Sequence, residues 1–587
     1  MVLRSISIKR VVSNIRPFGK RISQRNFSTS NNSLKTRSWS TPLVFIGGAS
    51  IGGFATYQYY NSQINDKLNS TNPISVLSTL PLDQLKSPNY ASSEEIESAI
   101  KEIRAVFYKS TPKIEDESIL INNSREEIDS HADTYFNSHH ASREERPQYV
   151  VYPRSTQEVS DIMKICHKYR IPVVPTTGRS SLEGHFIPTR GGIVIDISNM
   201  NKVLKLNKTD LDITVQGGLG FEELADYLEE YKLLFGPDPG PGAGIAGIVG
   251  TNASGTNATR YGETYKNIIN LTVVLADGTI IKTKQRPRKS SAGYNLNSLF
   301  IGSEGTLGIV TEATLRLYVK PALESVAVVP FPTIKDAADC VNGMLLEGII
   351  PNATELLDDK MMKVINLTGE TTRKWQERPT LFLKLGGSNV TVLESLIGQI
   401  KDIAAKNNSK DFQFAIDQDE KEELWSARKV ALWSTINHGK EIDPTMQLWT
   451  TDAVVPISHL PEFLTQTKQD IDNHGLKNTL VAHIGDGNAH SFILYTEKDR
   501  EIAEKVVNNM VKRAIEFEGT CTGEHGIGFG KRDFLLEEVG PLPIDLMRKI
   551  KLAIDPLRIL NPDKVFKIDP NEKPQFHGAF IASTADE

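Results

Sequence analysis

Apolar side chains recur at Ile96, Ile100, Ile103 and Phe107, a spacing that puts them on one face and predicts a helix over Glu94–Tyr108. Beyond Pro147 the pattern alternates between strand and helix periods. Gln148–Tyr152 reads as a short strand. Ser155–Tyr169 reads as a helix, with Ser155 as N-cap and Glu158 at the capping-box position. Pro172–Pro175 and Gly192–Ile197 are strand-length apolar runs, and Asn267–Leu275 is a longer one that ends at the turn Asp277-Gly278. From about Lys320 the pattern changes to longer amphipathic helices between separate strands, which marks a second domain. A last helix, Leu542–Ile554, precedes the breakers Asp555-Pro556 and Asn561-Pro562. The mixture predicts an α+β protein.

The N-terminal residues follow a different logic. Residues 1–27 hold seven basic side chains (Arg4, Lys9, Arg10, Arg16, Lys20, Arg21, Arg25), many serines and no acid, the composition of a mitochondrial transit peptide. No charge occurs from Ser38 to Asn65, and Pro42–Tyr60 is long and apolar enough for a transmembrane anchor, taken here as residues 39–61. Trp39 stands at one end and Tyr57, Tyr59 and Tyr60 at the other, as interfacial aromatics do. Lys35 and Arg37 precede the span and Asp66 follows it, so the positive side stays in the matrix and the body faces the intermembrane space. Residues 62–90, rich in Ser, Asn and Pro, read as a linker. Loss of residues 1–27 moves the formal net charge from −5 to −12. An acidic body argues against nucleic acid and favours a basic protein partner. The three cysteines (Cys166, Cys340, Cys521) are too scattered for a disulfide framework or a Cys-based metal site.

Two short segments carry the candidate chemistry: Val481-Ala-His483-Ile-Gly-Asp-Gly-Asn-Ala-His490 and Gly523-Glu524-His525-Gly526. With Asp486-Gly487 as a two-residue turn, the first is a hairpin in which His483 faces His490. Two imidazoles so placed can grip one divalent metal, with Glu524 supplying a carboxylate oxygen. Zinc heads the candidates, and manganese and iron suit the same donors. His525 is then free to act as a base.

Three glycine-rich segments stand out upstream: Pro175–His185, Gly236–Gly262, and Ser290–Asn295 with Gly302–Val310. So many glycines let backbone approach a large flat ligand and its phosphates closely, yet none fits the Gly-x-Gly-x-x-Gly fingerprint or a P-loop. Together they suggest an extended dinucleotide.

The order of Pro153–Thr156, the loop with Ser181-Leu182, the Pro/Gly-rich segment, Ser254-Gly255 and Gly302-Ser-Glu304-Gly305-Thr-Leu-Gly308-Ile309-Val310 resembles the flavin domain of the vanillyl-alcohol oxidase/p-cresol methylhydroxylase (PCMH) class. The His483…His490 and Glu524-His525 segments resemble the cap domain of its D-2-hydroxyacid dehydrogenase branch. Asn561-Pro562-Asp-Lys564-Val-Phe566 also matches and returns the chain to the flavin domain. The resemblance spans about residues 130–570. It implies a two-subdomain PCMH-type FAD-binding domain at 146–320 and an α+β cap with an antiparallel sheet at 321–540. An N-terminal segment, 62–145, precedes them, and a C-terminal segment, 541–587, packs back on the FAD domain.

The resemblance also implies noncovalent FAD. Its contacts fall on Thr177, Gly178, Arg179, Ser180, Ser181, Leu182, Gly184 and His185 in the first loop, and on Pro241, Gly242, Gly247, Ser254, Gly255, Thr256 and Gly262 in the second. Gly305, Gly308, Ile309, Val310 and Asn561 complete the set. Arg179 departs from the family pattern, standing where a glycine is usual. Its backbone should avoid glycine-only conformations, and its guanidinium should reach phosphate or point to solvent.

The implied reaction is oxidation of a D-2-hydroxyacid. Arg428 holds the substrate carboxylate bidentately. A metal on His483, His490 and Glu524 polarises the hydroxyl, His525 takes the proton, and hydride passes to flavin N5. Cytochrome c, with its basic face, takes the electrons. In the 2-hydroxyglutarate enzymes of this branch a lysine holds the second carboxylate; Thr450 stands in its place, and Phe492 replaces an asparagine. A distal carboxylate would be buried without a partner, so the substrate expected is D-lactate, with D-2-hydroxyglutarate as the alternative.

Overall fold

A computed structural model of the protein describes residues 77–110 and 116–572. The transit peptide read at 1–27 and the span read at 39–61 lie outside the described residues. Among the described residues no helix is long and apolar enough to cross a membrane.

The first sheet joins four short strands, β1 (Ile121–Asn122), β2 (Tyr149–Val151), β3 (Val173–Thr176) and β4 (Ile193–Asp196), in the order β1-β2-β4-β3. β2 and β3 run parallel to β4. Parallel strands are covered on both faces, which is why Tyr149–Val151 and Ile193–Asp196 are buried throughout. Helices Ser93–Ser110 and Thr156–Tyr169 close one face through Ile100, Ile103, Phe107, Ile162 and Cys166. Ser155 caps the second helix by accepting from the N–H of Glu158, and the Glu158 carboxylate reaches past the cap to the N–H of Arg154 (2.7 Å).

The second sheet is antiparallel. It contains β5 (Val203–Asn207), β6 (Asp212–Gln216), β7 (Leu233–Phe235), β8 (Ile268–Val274), β9 (Ile280–Lys282) and β10 (Ile309–Val319). β10 lies at its centre, pairing with β6, β7 and β8. The glycine-rich segments 236–262 and 302–308 are its β7–β8 and β9–β10 connections.

The third sheet has eight strands: β11 (Leu323–Pro330), β12 (Ala353–Leu357), β13 (Thr380–Gly387), β14 (Gln413–Ala415), β15 (Gln447–Thr450), β16 (Ala453–Val454), β17 (Lys477–His483) and β18 (Asn488–Tyr495). Their order is β14-β11-β13-β12-β17-β18-β15, with β16 on β18. Alternate residues split the sheet into two faces. Leu356, Leu381, Leu383, Leu480 and Ala489 pack with residues of helices Ile334–Leu346, Val390–Lys406 and Leu460–Asn473. Leu357, Phe382, Val481 and Phe492 pack with residues of helices Asp359–Thr368 and Gln418–Ile442.

The hairpin register differs from the expected one. His483 faces Asn488, and His490 faces Val481, because the loop has four residues, Ile484–Gly487, rather than two. Ile484 is fully buried, and Asp486 accepts a hydrogen bond from Thr259 Oγ1 (2.9 Å), which pulls two further residues out of the strands. A slip of one residue would have sent the histidines to opposite faces; the actual shift keeps both on one face as diagonal neighbours.

The C-terminal helix Pro541–Ile554 leads the chain back to the first sheet. Val173 N donates to Ile559 O and Asn561 N to Val173 O, each at 2.7 Å, so Leu560 extends the sheet beside β3. The Lys551 ammonium is buried and donates to Thr306 O (2.6 Å), Asp555 Oδ2 (2.6 Å) and Leu560 O (2.7 Å). The described part of the expected linker, residues 77–90, is not loose. Leu80 is buried, its N–H donates to Asp545 O, and Arg548 and Arg558 donate to the carbonyls of Leu80 and Lys86. A polar stretch reads as a linker by composition, but here its backbone carbonyls accept from two buried arginines.

Lys551→Met should lower stability by about 3–5 kcal/mol, because it leaves Asp555 as an uncompensated buried charge. A fall in the urea midpoint, with earlier proteolysis of the segment after residue 554, checks this; an unchanged midpoint contradicts it.

Candidate metal and flavin site

The second face of the third sheet carries the polar cluster. Directly opposed pairs across β12, β17, β18 and β15 place Leu357, Val481, His490 and then Thr450 with Phe492 on one side. Strand alternation adds Glu355 and His483 to the same side. Helix Gln418–Ile442 crosses this face and brings Arg428 to it.

His483 Nε2 and His490 Nε2 each lie 3.1 Å from Glu524 Oε1, and the three donor atoms fall within 4.8 Å of one another. The other imidazole nitrogens are fixed from behind. His483 Nδ1 meets Glu355 Oε1 at 2.7 Å, and His490 Nδ1 meets Thr451 O at 2.9 Å. Acceptors on both Nδ1 atoms leave the Nε2 lone pairs for a metal. Burial disfavours charge on His483 and on Glu524, yet the surrounding charges win. Glu355 and Glu524 raise the His483 pKa well above its ordinary value, and His483 and His490 hold Glu524 well below the usual carboxylate range. A divalent ion would take the place of the proton these groups share. Two imidazoles and a carboxylate, converging and braced from behind, fit such an ion.

The second Glu524 oxygen points the other way. Oε2 accepts from Ser254 Oγ and from Gly255 N, both at 2.8 Å, so the donor set is tied to the glycine-rich connection of the second sheet. Gly255 is backed by Asp238, whose carbonyl O would lie 1.8 Å from a Cβ at this position.

Glu524 sits in a segment gripped from both sides. Asp452 Oδ2 accepts from Gly523 N (2.8 Å), Glu524 N (3.0 Å), His525 N (2.9 Å) and Thr522 Oγ1 (2.7 Å). The Glu304 carboxylate accepts from Ile527 N (2.6 Å) and Gly528 N (2.7 Å). Burial raises the Asp452 pKa, but His525, Lys531 and His490 together offset it and hold the group far down. His525 stacks on His490, with ring centroids 5.2 Å apart. Burial works against its imidazolium, and Asp452 and Glu183 reverse the balance, so its pKa is raised.

Arg428 Nε donates to Glu355 Oε2 at 2.7 Å. One buried carboxylate thus orients both a metal-site histidine and the guanidinium expected to hold substrate. Sequence reading missed Glu355; a lone acid in the strand Ala-Thr-Glu-Leu-Leu was the available signal. It also passed over Glu183, Glu304 and Lys531, and the clamp role of Asp452.

The flavin residues named from sequence lie in several settings. Gly178, in the left-handed region (φ 54°), is so close to the second loop that a Cβ would stand 2.3 Å from Gly242 O; Gly247 approaches Thr177. No atom lies within 4 Å of where a Cβ would stand at Gly242, which leaves the space beside it clear for a ligand. Gly305 abuts Pro175, Thr256 Oγ1 donates to Asp238 (2.7 Å), and Leu182 O accepts from Ser138 N (2.8 Å). Asn561 Nδ2 donates to His185 O (3.0 Å) and Glu304 O (2.7 Å), stitching the first and third glycine segments together. Gly262 lies against Lys266, Gly308 packs on Val273 and Phe300, and Ile309 and Val310 are buried in β10. His185 is buried beside Gly526, and neither of its ring nitrogens has a hydrogen-bond partner among the described residues; Asn561 Oδ1 is likewise unpaired. His185 Nε2 stands 3.4 Å from Glu304 Oε1, and buried polar atoms left without hydrogen bonds fit a large polar cofactor.

Arg179 differs from expectation. Its backbone enters the left-handed region (φ 53°), at a cost on the order of 1 kcal/mol. Its guanidinium turns away from the loop to Ser130 and the His131 ring.

Two family comparisons match these regions: the FAD binding domain over residues 147–284, and the C-terminal domain of FAD-linked oxidases over residues 320–565. The mitochondrial D-lactate dehydrogenase [cytochrome] of Kluyveromyces lactis is 52% identical over 91% of this chain and 91% of its own. The mitochondrial D-lactate dehydrogenase [cytochrome] 1 of Saccharomyces cerevisiae is 50% identical over 94% of this chain and 95% of its own. The crystal structure of p-cresol methylhydroxylase with substrate bound superposes with a TM-score of 0.66 at 18% identity, over 83% of this chain and 100% of that one, and shows the same PCMH-type fold. The chain belongs to the family of FAD-linked oxidases that includes the mitochondrial D-lactate dehydrogenases [cytochrome].

Proposed function

We propose that this chain is an FAD-dependent D-lactate dehydrogenase that forms pyruvate and passes electrons to cytochrome c. The observation that carries the reading is Glu524, whose carboxylate joins two histidines on one oxygen and the glycine-rich loop of the FAD-binding domain on the other. That link supports a site in which a redox cofactor and acid–base chemistry would lie side by side. The names of the similar proteins add substrate and acceptor.

Arg428, aimed by Glu355, holds the substrate carboxylate. His525 accepts the hydroxyl proton as the α-hydrogen departs with its electron pair. A divalent metal, zinc foremost, held by His483, His490 and Glu524, supplies Lewis-acid polarisation of the hydroxyl. FAD, held noncovalently by the glycine loops, supplies the hydride acceptor. Thr450 and Phe492 are directly opposed across β15 and β18, on the face that holds His490. Neither carries the cation a second carboxylate needs, which favours a short apolar tail. A transit peptide at 1–27 and an anchor at 39–61 place the body at the mitochondrial inner membrane, facing the intermembrane space, where cytochrome c is met.

Anaerobic D-lactate should bleach the visible flavin band of the full-length enzyme, while L-lactate and D-2-hydroxyglutarate should not. Bleaching by D-2-hydroxyglutarate alone would overturn the substrate assignment.

His490→Ala should lose the metal, keep FAD, and slow reduction by D-lactate about 100-fold or more, since Lewis-acid stabilisation contributes several kcal/mol. Metal analysis beside stopped-flow absorbance reads both. A metal-free variant that reduces at the parent rate would remove the metal from the mechanism.

A further inference from the structure

Glu183 lies in the first glycine segment, between Leu182 and Gly184, and its side chain is almost wholly buried (2% exposed). A carboxylate is costly to bury unless it serves a partner. Its main chain is fixed, because Glu183 O accepts from Phe529 N (2.9 Å) and Gly530 N (3.1 Å), just downstream of His525. Its side chain enters the site between two cationic or basic groups. Lys531 Nζ stands 3.2 Å from Oε1, and His525 Nδ1 stands 3.7 Å from the same oxygen. Among the described residues neither Glu183 Oε1 nor His525 Nδ1 has a hydrogen-bond partner. Lys531 is itself buried and also donates to Asp452 O (3.3 Å), so one ammonium braces the carboxylate against the clamp that holds the His525 backbone. Burial pushes the Glu183 carboxyl up, but Lys531, His525 and His139 together hold it down at about 2, so the group is an acceptor.

We propose that Glu183 is the positioning residue of His525: its carboxylate takes the Nδ1–H, fixes the imidazole's tautomer and plane, and leaves Nε2 as the nitrogen that removes the hydroxyl proton. The inference rests on the reading of His525 as the base. A gap of 3.7 Å is of the kind that tightens to a hydrogen bond when substrate binds, since apo contacts between catalytic partners are often long. In the reaction the hydroxyl proton would move to Nε2 as the oxygen's electrons form the carbon–oxygen double bond of pyruvate, and the C–H electron pair would leave as hydride, for which FAD held by the glycine loops would supply the acceptor. The imidazolium produced is stabilised by Glu183, which keeps its own charge.

The test is a double-mutant cycle on the FAD-loaded, metal-loaded full chain, read as the limiting rate of flavin reduction by D-lactate and the D-lactate concentration at half-saturation. E183Q should lower the limiting rate about 10- to 100-fold, with half-saturation changed less than about threefold, because orientation acts on the proton transfer and not on carboxylate binding. E183D should recover part of the rate. In an H525N background, E183Q should change the residual rate less than about twofold, since a residue acting through another loses its effect when that other is gone. Equal losses from E183Q in both backgrounds, or loss of FAD or metal from E183Q, would make Glu183 a scaffold residue and overturn the proposal. Parent rates for H525N would instead remove His525 as the base, a failure of the underlying reading that is distinguishable from a failure at Glu183.

Discussion

The two oxygens of Glu524 have different duties, and the rest of the site depends on that division. Oε1 sits 3.1 Å from both His483 Nε2 and His490 Nε2, while Oε2 is held by Ser254 Oγ and Gly255 N. A carboxylate buried between such partners is stable only while all are present, since removing one strands a charge in a dry interior. The third sheet and the glycine-rich loop of the second are thus locked in one relative position by the group that completes the candidate metal donor set.

The same logic explains the grip on residues 522–528. Asp452 gathers three consecutive backbone N–H groups and a threonine hydroxyl, and Glu304 gathers two more N–H groups further along. One clamp comes from the third sheet's strand connections, the other from the β9–β10 connection of the second sheet. Between them the chain has little freedom to move Glu524 or His525 independently. Charge-assisted hydrogen bonds to backbone are short and directional, so the geometry of the donor set is fixed by main chain rather than by side-chain rotamers alone.

Much of the fold was legible in the sequence, for reasons that differ by element. Helix Ser93–Ser110 shows its buried stripe at Ile96, Ile100, Ile103 and Phe107, and helix Thr156–Tyr169 announces its start through Ser155 and Glu158. The His483, His490 and Glu524 convergence was readable because strand alternation survives a two-residue change of register. The register itself was not readable, since Asp486-Gly487 favours a tight turn and only the tertiary contact to Thr259 lengthens the loop. Glu355, Glu183 and Glu304 were hidden for a similar reason. Each is an isolated acid whose partners lie far away in the chain, and their value appears only when the elements are assembled. The orientation of Arg179 toward Ser130 and His131 likewise depends on a segment some 48 residues distant.

The central claim is that His483, His490 and Glu524 hold one divalent ion beside the flavin loops. An anomalous-difference map from crystals of the metal-replete protein, collected on both sides of the metal absorption edge, tests it most directly. The account predicts a single peak about 2.0–2.2 Å from His483 Nε2, His490 Nε2 and a Glu524 oxygen, with the other Glu524 oxygen still on Ser254 and Gly255. A map without a peak there, or with Glu524 turned wholly toward the glycine loop, would contradict it.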